Sequence, residues 1–272
     1  MAKNMQAIQI TSVQNPLVKQ VVRLRERKER DGSHLFLIEG YRELLRAVDA
    51  NVELTALFFC RDYFLGSNED KLILRAKCKT YECAPSVFQK ISYRDRPDGL
   101  IAIAVQKHKT LADLAHCLKD NKAPFLVACE AIEKPGNLGT ILRSSDGVAV
   151  DGLIVCDQCT DVYNPNTVRA SVGTLFSVPL FEASSKETIE WLKQNKIQIV
   201  AATPSGEKEY TRVDLTGPIC IAVGTEQLGL SDVWMNAAEI KVRIAMKGVA
   251  DSLNVAQATT LLLYETLRQR EK

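Results

Sequence analysis

The sequence predicts two α/β units in tandem. Three observations predict it. Short apolar runs alternate with helical patterns from about residue 15 to the end of the chain. From residue 125 onward most of these runs are continuously apolar, as in parallel strands covered on both faces. Between the two stretches, Lys107-His108-Lys109-Thr110 is polar and breaks the pattern. A chain of 272 residues has room for one large domain or two ordinary ones.

In the first unit, Asn15-Pro16 supplies a helix cap and a first-turn proline. Apolar Leu17, Val18, Val21, Val22 and Leu24 follow, and the same helix is expected to run through Arg23–Arg30 until Asp31-Gly32 stops it. That run holds five cations and two anions. Two readings of it stand open: an ordinary solvated helix face, or a set of phosphate contacts made by Arg23, Arg25 and Arg27. Strands are then expected at Leu35–Ile38, Leu54–Cys60, Thr80–Cys83 and Leu100–Val105. Helices are expected at Tyr41–Val48, Asp70–Ala76 and Val87–Ile91. The linker follows, with Leu111–Leu118 helical.

In the second unit, Phe125–Cys129, Gly152–Cys156, Ile197–Ala202, Ile219–Val223 and Ile240–Ile244 read as strands. Helical patterns separate them, notably Thr188–Gln194, and Asp251–Gln269 reads as a long final helix. The expected division is 1–106, a linker at 107–120, and 121–272.

Composition limits the function classes. A 46% hydrophobic and 25% charged sequence is typical of a soluble globular protein. No stretch approaches 18 apolar residues, and Met1–Ser12 holds no apolar run of signal-peptide length. A cytoplasmic protein without a membrane span is therefore expected. The eight cysteines are spread through apolar segments, which reads as free buried thiols. Cys156-Asp157-Gln158-Cys159 is a lone C-x-x-C with no companion pair, so no metal site is expected. The net charge of +2 hides an asymmetry: residues 1–110 carry 19 Lys and Arg against 13 Asp and Glu, and residues 111–272 carry 16 against 20. Either this is scatter of solvated charge, or the basic half meets a polyanion.

No G-x-G-x-x-G or G-x-x-x-x-G-K-[ST] is present. Ser171 misses the G-x-S-x-G elbow because Arg169 stands at the first glycine position. His34, His108 and His116 all lie outside the motifs described next, which argues against a Ser-His-Asp hydrolase.

Three segments read together as one site. Asn137-Leu138-Gly139-Thr140-Ile141-Leu142-Arg143 follows the strand at Phe125–Cys129 and leads into a helix near Leu138. Gly224-Thr225-Glu226-Gln227-Leu228-Gly229-Leu230-Ser231 follows Ile219–Val223. Ile244-Ala245-Met246-Lys247-Gly248 runs into Ser252-Leu253-Asn254-Val255. Each puts Gly, Asn or Ser at a strand end, where a ligand can approach main-chain groups. Asn137 either caps its helix or serves chemistry. Arg143 is either a surface cation or a ligand for phosphate or ribose. Glu226 either fixes its loop or meets the ligand. The N–H groups that open the final helix could surround a carboxylate or alkoxide.

The order and spacing of these segments resemble the SpoU (TrmH-like) family of RNA ribose 2′-O-methyltransferases, within the SPOUT superfamily. Tyr163-Asn164-Pro165-Asn166, Arg169-Ala170-Ser171-Val172-Gly173, Phe176 and Val178-Pro179 extend the match. Phe36-Leu37-Ile38-Glu39-Gly40 and Asp98-Gly99-Leu100-Ile101-Ala102-Ile103 resemble the small substrate-binding domain that precedes many members. The resemblance implies an α/β fold: a C-terminal SPOUT domain with a parallel sheet and a deep trefoil knot, preceded by a smaller L30e-like domain. It implies S-adenosylmethionine as cofactor, RNA as substrate, ribosomal before transfer RNA, and a homodimer through the C-terminal domain. Non-catalytic RNA binding on the same fold is one rival, and an enzyme of this fold acting on another nucleic-acid atom, such as a base nitrogen, is the other. The resemblance assigns Arg143 the central catalytic role, supported by Asn137, Glu226, Ser252 and Asn254. Gly224, Ile244, Met246 and Leu253, with Thr203 nearby, are expected to meet the cofactor. The sequence departs from the family pattern twice, with Gln227 for a glycine and Ala245 for a proline.

Overall fold

A computed structural model of the chain describes residues 7–271, so the opening residues 1–6 of the polar N-terminus lie outside the described residues. The chain divides into two units: residues 1–107 with 161–177, and residues 108–160 with 178–272.

The first unit is built on a mixed five-stranded sheet. Its strands are β1 (Ile8–Ile10), β2 (Leu35–Glu39), β3 (Leu54–Phe59), β4 (Lys79–Cys83) and β5 (Leu100–Val105), in the order β1-β4-β3-β5-β2. β1, β4 and β3 run parallel, and β5 lies antiparallel to both β3 and β2. Helices α1 (Pro16–Arg23), α2 (Arg27–Ser33), α3 (Tyr41–Asp49), α4 (Glu69–Arg75) and α5 (Pro85–Ile91) cover it. Asn15 caps α1 as its Asn-Pro pair predicts, accepting from Leu17 N at 2.9 Å. Leu37, Phe58, Phe88, Ile101 and Ile103 fill the core with Val18 and Val21 of α1.

The basic run departs from the single helix expected of it. It breaks after Leu24 and resumes as α2, which passes through Asp31-Gly32 and ends on His34 in the left-handed region at φ 54°. The cause is tertiary. Arg30 is 1% exposed and donates from Nε to Asp161 Oδ2 at 2.7 Å, while its Nη2 lies 2.6 Å from the same oxygen. Its Nη1 donates to the carbonyls of Leu24 and Arg25. Arg25 is also turned inward: its Nη2 donates to the carbonyls of Lys90 and Ser92 at 3.0 and 2.8 Å. Arg23 and Arg27 stay on the surface, Arg27 paired with Asp31 at 3.4 Å.

Residues 161–177 complete this unit. The sequence places them in the second domain, yet α8 (Pro165–Ser171) packs on β2. Phe36 packs at a tilt against Tyr163, with ring centroids 4.4 Å apart, and Phe176 lies 6.1 Å away. Arg46 Nη1 donates to Val172 O at 2.6 Å.

The second unit carries an entirely parallel seven-stranded sheet. Its strands are β6 (Phe125–Glu130), β7 (Gly152–Cys156), β8 (Leu180–Ala183), β9 (Gln198–Ala202), β10 (Lys208–Glu209), β11 (Ile219–Val223) and β12 (Ile240–Arg243). They follow the order β10-β12-β9-β11-β6-β7-β8. The continuous apolar runs are buried end to end in β6, β7 and β11, as parallel pairing demands. Helices α6 (Leu111–Cys117), α7 (Pro135–Gly147), α9 (Ser185–Gln194), α10 (Asp232–Ala237) and α11 (Val255–Arg270) belong to this unit. The sequence predicts five strands here and seven are present. The two additions, β8 and β10, lie at the sheet's edges, where four and two residues suffice for pairing. Cys60, Cys83, Cys129, Cys156 and Cys220 are buried thiols as expected, but Cys117 and Cys159 are exposed. Burial pushes the Cys156 thiol up to about 12, which keeps it from forming the reactive thiolate. Among the described residues, no helix is long and apolar enough to cross a membrane.

The Arg30–Asp161 pair is the structural weak point of the first unit, because removing one partner leaves a buried charge uncompensated. Arg30→Ala is expected to lower unfolding stability by about 3–5 kcal/mol. Arg30→Met combined with Asp161→Leu should cost much less, since the swap buries no orphan charge. Urea unfolding of both variants checks this, and equal losses would contradict it.

Candidate functional site

In the second unit the chain switches direction between β6 and β11. β6 leads on through β7 to β8 on one side, whereas β9, β12 and β10 lie on the other side of β11. Neighbouring parallel strands that lead away in opposite directions open a crevice at their C-terminal ends, which is the general ligand position of such sheets. The three sequence segments converge there.

The loop after β11 turns tightly. Thr225 N donates to Gly229 O at 3.0 Å, and Gly229 N returns a bond to Thr225 O at 3.1 Å. Gly229 has φ +71°, so this position favours glycine. A Cβ built on Gly224 would collide with the backbone of Gly229 and Leu230, so close approach alone fixes glycine there. A buried carboxylate anchors the far end of the loop. Glu130, at the end of β6, accepts from Ser231 N at 2.8 Å and from Ser231 Oγ at 2.6 Å. The hydroxyl of Ser185 donates to the same carboxylate at 3.3 Å and accepts from Trp234 Nε1 at 2.8 Å. Glu130 belongs to none of the three segments. Its one signal in the sequence is a carboxylate closing an otherwise apolar strand.

Asn137 does not cap α7. Lys134 occupies the cap position and Pro135 the first turn, which places Asn137 inside the helix. Its side chain bridges the other two segments instead. Asn137 Nδ2 donates to Glu226 Oε1, and Asn137 Oδ1 accepts from Asn254 Nδ2 at 3.1 Å. Asn254 is itself the cap of α11, its Oδ1 accepting from Ala256 N at 3.0 Å. The final helix thus opens at Val255, four residues later than expected, and Ser252 sits exposed in the loop before it. The second oxygen of Glu226, Oε2, is buried and has no hydrogen-bond partner.

The second and third segments, with the end of β9, enclose a cavity of about 580 Å³, a size suited to one small organic ligand, and Asn137 reaches it only through Glu226 and Asn254. Thr203, Gly224, Ile244, Met246 and Leu253 all line it, together with Glu226, Ser252 and Asn254. Val255 and Ala258 bring the first turn of α11 to the same wall, with its N-terminal N–H groups. Leu230, Val242 and Leu262 add apolar surface. Lys134 also lines it and is exposed; it stands just before the first segment, where no pattern in the sequence marks it. Gln227 and Ala245, the two departures, are both exposed, and Gln227 stands at the rim.

Arg143 is not among the lining residues. Six positions beyond Asn137 it is rotated about 120° around α7. It is exposed, with no hydrogen-bond or ion-pair partner among the described residues. The cavity therefore holds the acceptors, the amides and the apolar walls, and the cation expected beside them stands apart on the helix. No grouping of three metal-ligating side chains occurs among the described residues.

A parallel sheet with a cavity lined by the loops after β9, β11 and β12 beside its switch point defines an α/β protein with room for a small organic ligand at its strand ends. The chain belongs to the SpoU rRNA Methylase family, whose pattern it matches over residues 124–264; residues 15–102 match the MRM3-like substrate binding domain. It is 30% identical to the 23S rRNA (uridine(2479)-2′-O)-methyltransferase of Streptomyces viridochromogenes, over 91% of this chain and 87% of that one. Among solved structures, an RNA 2′-O ribose methyltransferase superposes with a TM-score of 0.83 at 39% identity, covering 97% of this chain and all of the other. An AdoMet-bound rRNA methyltransferase from Sinorhizobium meliloti superposes with a TM-score of 0.86 at 29% identity, covering 97% and 98% of the two chains.

Asn137→Ala removes the amide that joins the three segments. It is expected to cost about 1–2 kcal/mol of stability and to speed amide hydrogen exchange at residues 225–230 and 252–256. Exchange confined to the α7 side, with those loops unchanged, would show that the bridge does not hold them.

Proposed function

We propose that the protein transfers a methyl group from S-adenosylmethionine to a ribose 2′-OH of ribosomal RNA, with 23S rRNA as the first substrate to test. The observation that carries this reading is the cavity at the β6–β11 switch point, walled by the second and third segments, to which Asn137 of the first is tied through Glu226 and Asn254. The residues present fit the cofactor. Gly224 lets the loop fold back tightly on its own backbone at Gly229 and Leu230, which sets the shape of this wall. Glu226 Oε2 is a buried acceptor in need of a donor, which a ligand ammonium or hydroxyl can supply. Backbone groups at Gly224, Ile244 and Leu253 would hold the cofactor, with Thr203 and Met246 beside them. When bound, it supplies a methyl group activated on a sulfonium.

The remaining task falls to this chain's residues. Asn137, fixed from both sides, and Asn254 present amides that can orient the ribose. Ser252 adds a hydroxyl at the same wall. A 2′-oxygen that loses its proton as it attacks develops negative charge, and aligned donors stabilise it. A guanidinium is a permanent cation and no general base, so Arg143 serves by electrostatic stabilisation and phosphate contact. Its distance from the lining residues is met if a second copy of the chain brings its own Arg143 to the site. A homodimer through the second unit belongs to the same proposal. Leu262 and Leu263 of α11 are buried, whereas Leu261 and Tyr264, one turn apart, are 40% and 50% exposed and form an apolar face without a partner. The threaded C-terminal knot of the family, RNA binding by the first unit and a cytoplasmic location complete the reading.

Incubation with methyl-labelled S-adenosylmethionine and 23S rRNA, followed by nucleoside mass spectrometry, tests the activity; label on a base instead of a ribose would overturn it. Arg143→Ala is expected to lower turnover by about 100-fold or more and leave cofactor affinity within a few-fold. Gly224→Ala should do the reverse in the first step, weakening cofactor binding by about tenfold or more through overpacking. Calorimetry beside turnover separates the two. Light scattering at micromolar concentration should give a dimer, and Leu261→Glu with Tyr264→Glu should give a monomer; a monomeric parent protein would end the dimer reading.

A further inference from the structure

A second cavity, of about 550 Å³, lies wholly within the first unit. Its wall includes Arg169, from the motif at residues 169–173 that the methyl-transfer cavity does not use. Arg42 of α3 faces the same cavity. Both guanidiniums are exposed, and neither has a hydrogen-bond or ion-pair partner among the described residues. They come from elements far apart in sequence, so local helix spacing does not account for their meeting.

Beneath them the wall is polar and buried. Glu43, Glu69 and Asp98 are 5%, 4% and 9% exposed, which is rare for carboxylates unless they are paired. Glu43 is paired with Arg94 at 2.6 Å. Asp98 Oδ2 accepts from Tyr41 N at 2.8 Å, and Arg94 Nη1 lies 3.6 Å from it. Glu69 Oε1 accepts from Gly66 N at 2.7 Å. Three buried atoms remain without partners: Asp98 Oδ1, Glu69 Oε2 and Arg94 Nε. Folds rarely leave such groups unsatisfied, because each costs the desolvation of a polar atom.

Two acceptors and one donor define the edge that would satisfy them. Guanine is the one RNA base whose Watson–Crick edge sets two adjacent N–H donors beside a carbonyl acceptor. Uracil and cytosine each offer one donor group with two acceptors, and adenine one of each. Single-stranded RNA is read at this edge. Leu65, 82% exposed at the rim, gives a base an apolar face. We propose that this cavity is a second RNA subsite that takes a single-stranded guanosine, its phosphate on Arg42 and Arg169 and its base edge against Arg94, Asp98 and Glu69. The proposal rests on the reading of the chain as an RNA methyltransferase.

The test is fluorescence anisotropy with the full chain and two labelled oligonucleotides, one of uridines alone and one with a single central guanosine. The wild-type protein should bind the guanosine strand about tenfold more tightly, the effect of one well-formed base contact. Glu69→Gln should reduce that preference and leave the salt dependence alone. Arg42→Ala and Arg169→Ala should each weaken both strands and flatten the log–log salt slope by about 0.7, one phosphate's worth on a single strand. Arg169→Lys should keep the slope. Far-UV circular dichroism and the urea unfolding midpoint should stay close to wild type across all four variants, which rules out misfolding of the first unit as the cause. Equal binding of the two strands by the wild type overturns the subsite, as does an unchanged salt slope in both alanine variants. A preference that survives Glu69→Gln overturns the base-reading wall. If the wild type still methylates ribosomal RNA while failing these tests, the subsite alone is lost; if it methylates nothing, the underlying reading goes with it.

Discussion

One side-chain amide ties together the segments around the strand-end cavity. Asn137 donates to Glu226 and accepts from Asn254, so a helix, a glycine loop and the cap of the final helix share a single residue. An amide is the side chain that can do this, because it offers a donor and an acceptor on one rigid plane. Alanine offers neither and aspartate, when ionised, offers only acceptors. The three loops come from strand ends that could move independently, so their relative placement depends on this bridge and on the buried Glu130 that pins Ser231.

The sheet makes the bridge possible. Parallel pairing aligns the C-terminal ends of β6 and β11, with Val223 opposite Cys129, so the chains leaving them start side by side. The direction change between these strands keeps the following helices from filling the gap. Apolar strands buried on both faces supply the rigidity, and polar chemistry is confined to where they end.

Much of this is legible in the sequence. Gly224 and Asn254 stand out as Gly and Asn beside strand ends, Ile244 and Leu253 through the family resemblance, and all four reach one cavity. The apolar runs of β6, β7 and β11 declare parallel strands. The part that is not legible is long-range. Asn137, at the end of the turn Pro135-Gly136, looks like a cap, and only its neighbours 89 and 117 residues away in sequence show what it does instead. The run Arg23–Arg30 looks like one solvated helix until Asp161, 131 residues on, draws Arg30 inward. Asn164-Pro165 repeats the signature of Asn15-Pro16, and Asn164 caps α8 in the same way. That signal is local and readable, whereas the edge strands β8 and β10 are too short to announce themselves.

The interruption of the second unit by residues 161–177 matters for how the chain is made. A nascent chain that has reached residue 107 has all five strands of the first sheet but not Asp161, Tyr163 or Phe176. Arg30 then has no carboxylate, and Phe36 keeps an uncovered face. The ribosome must synthesise β6, α7 and β7 of the other unit before this core can close. Emergence order and folding order therefore differ, and the amino-terminal unit cannot be a finished module while the rest is still being translated.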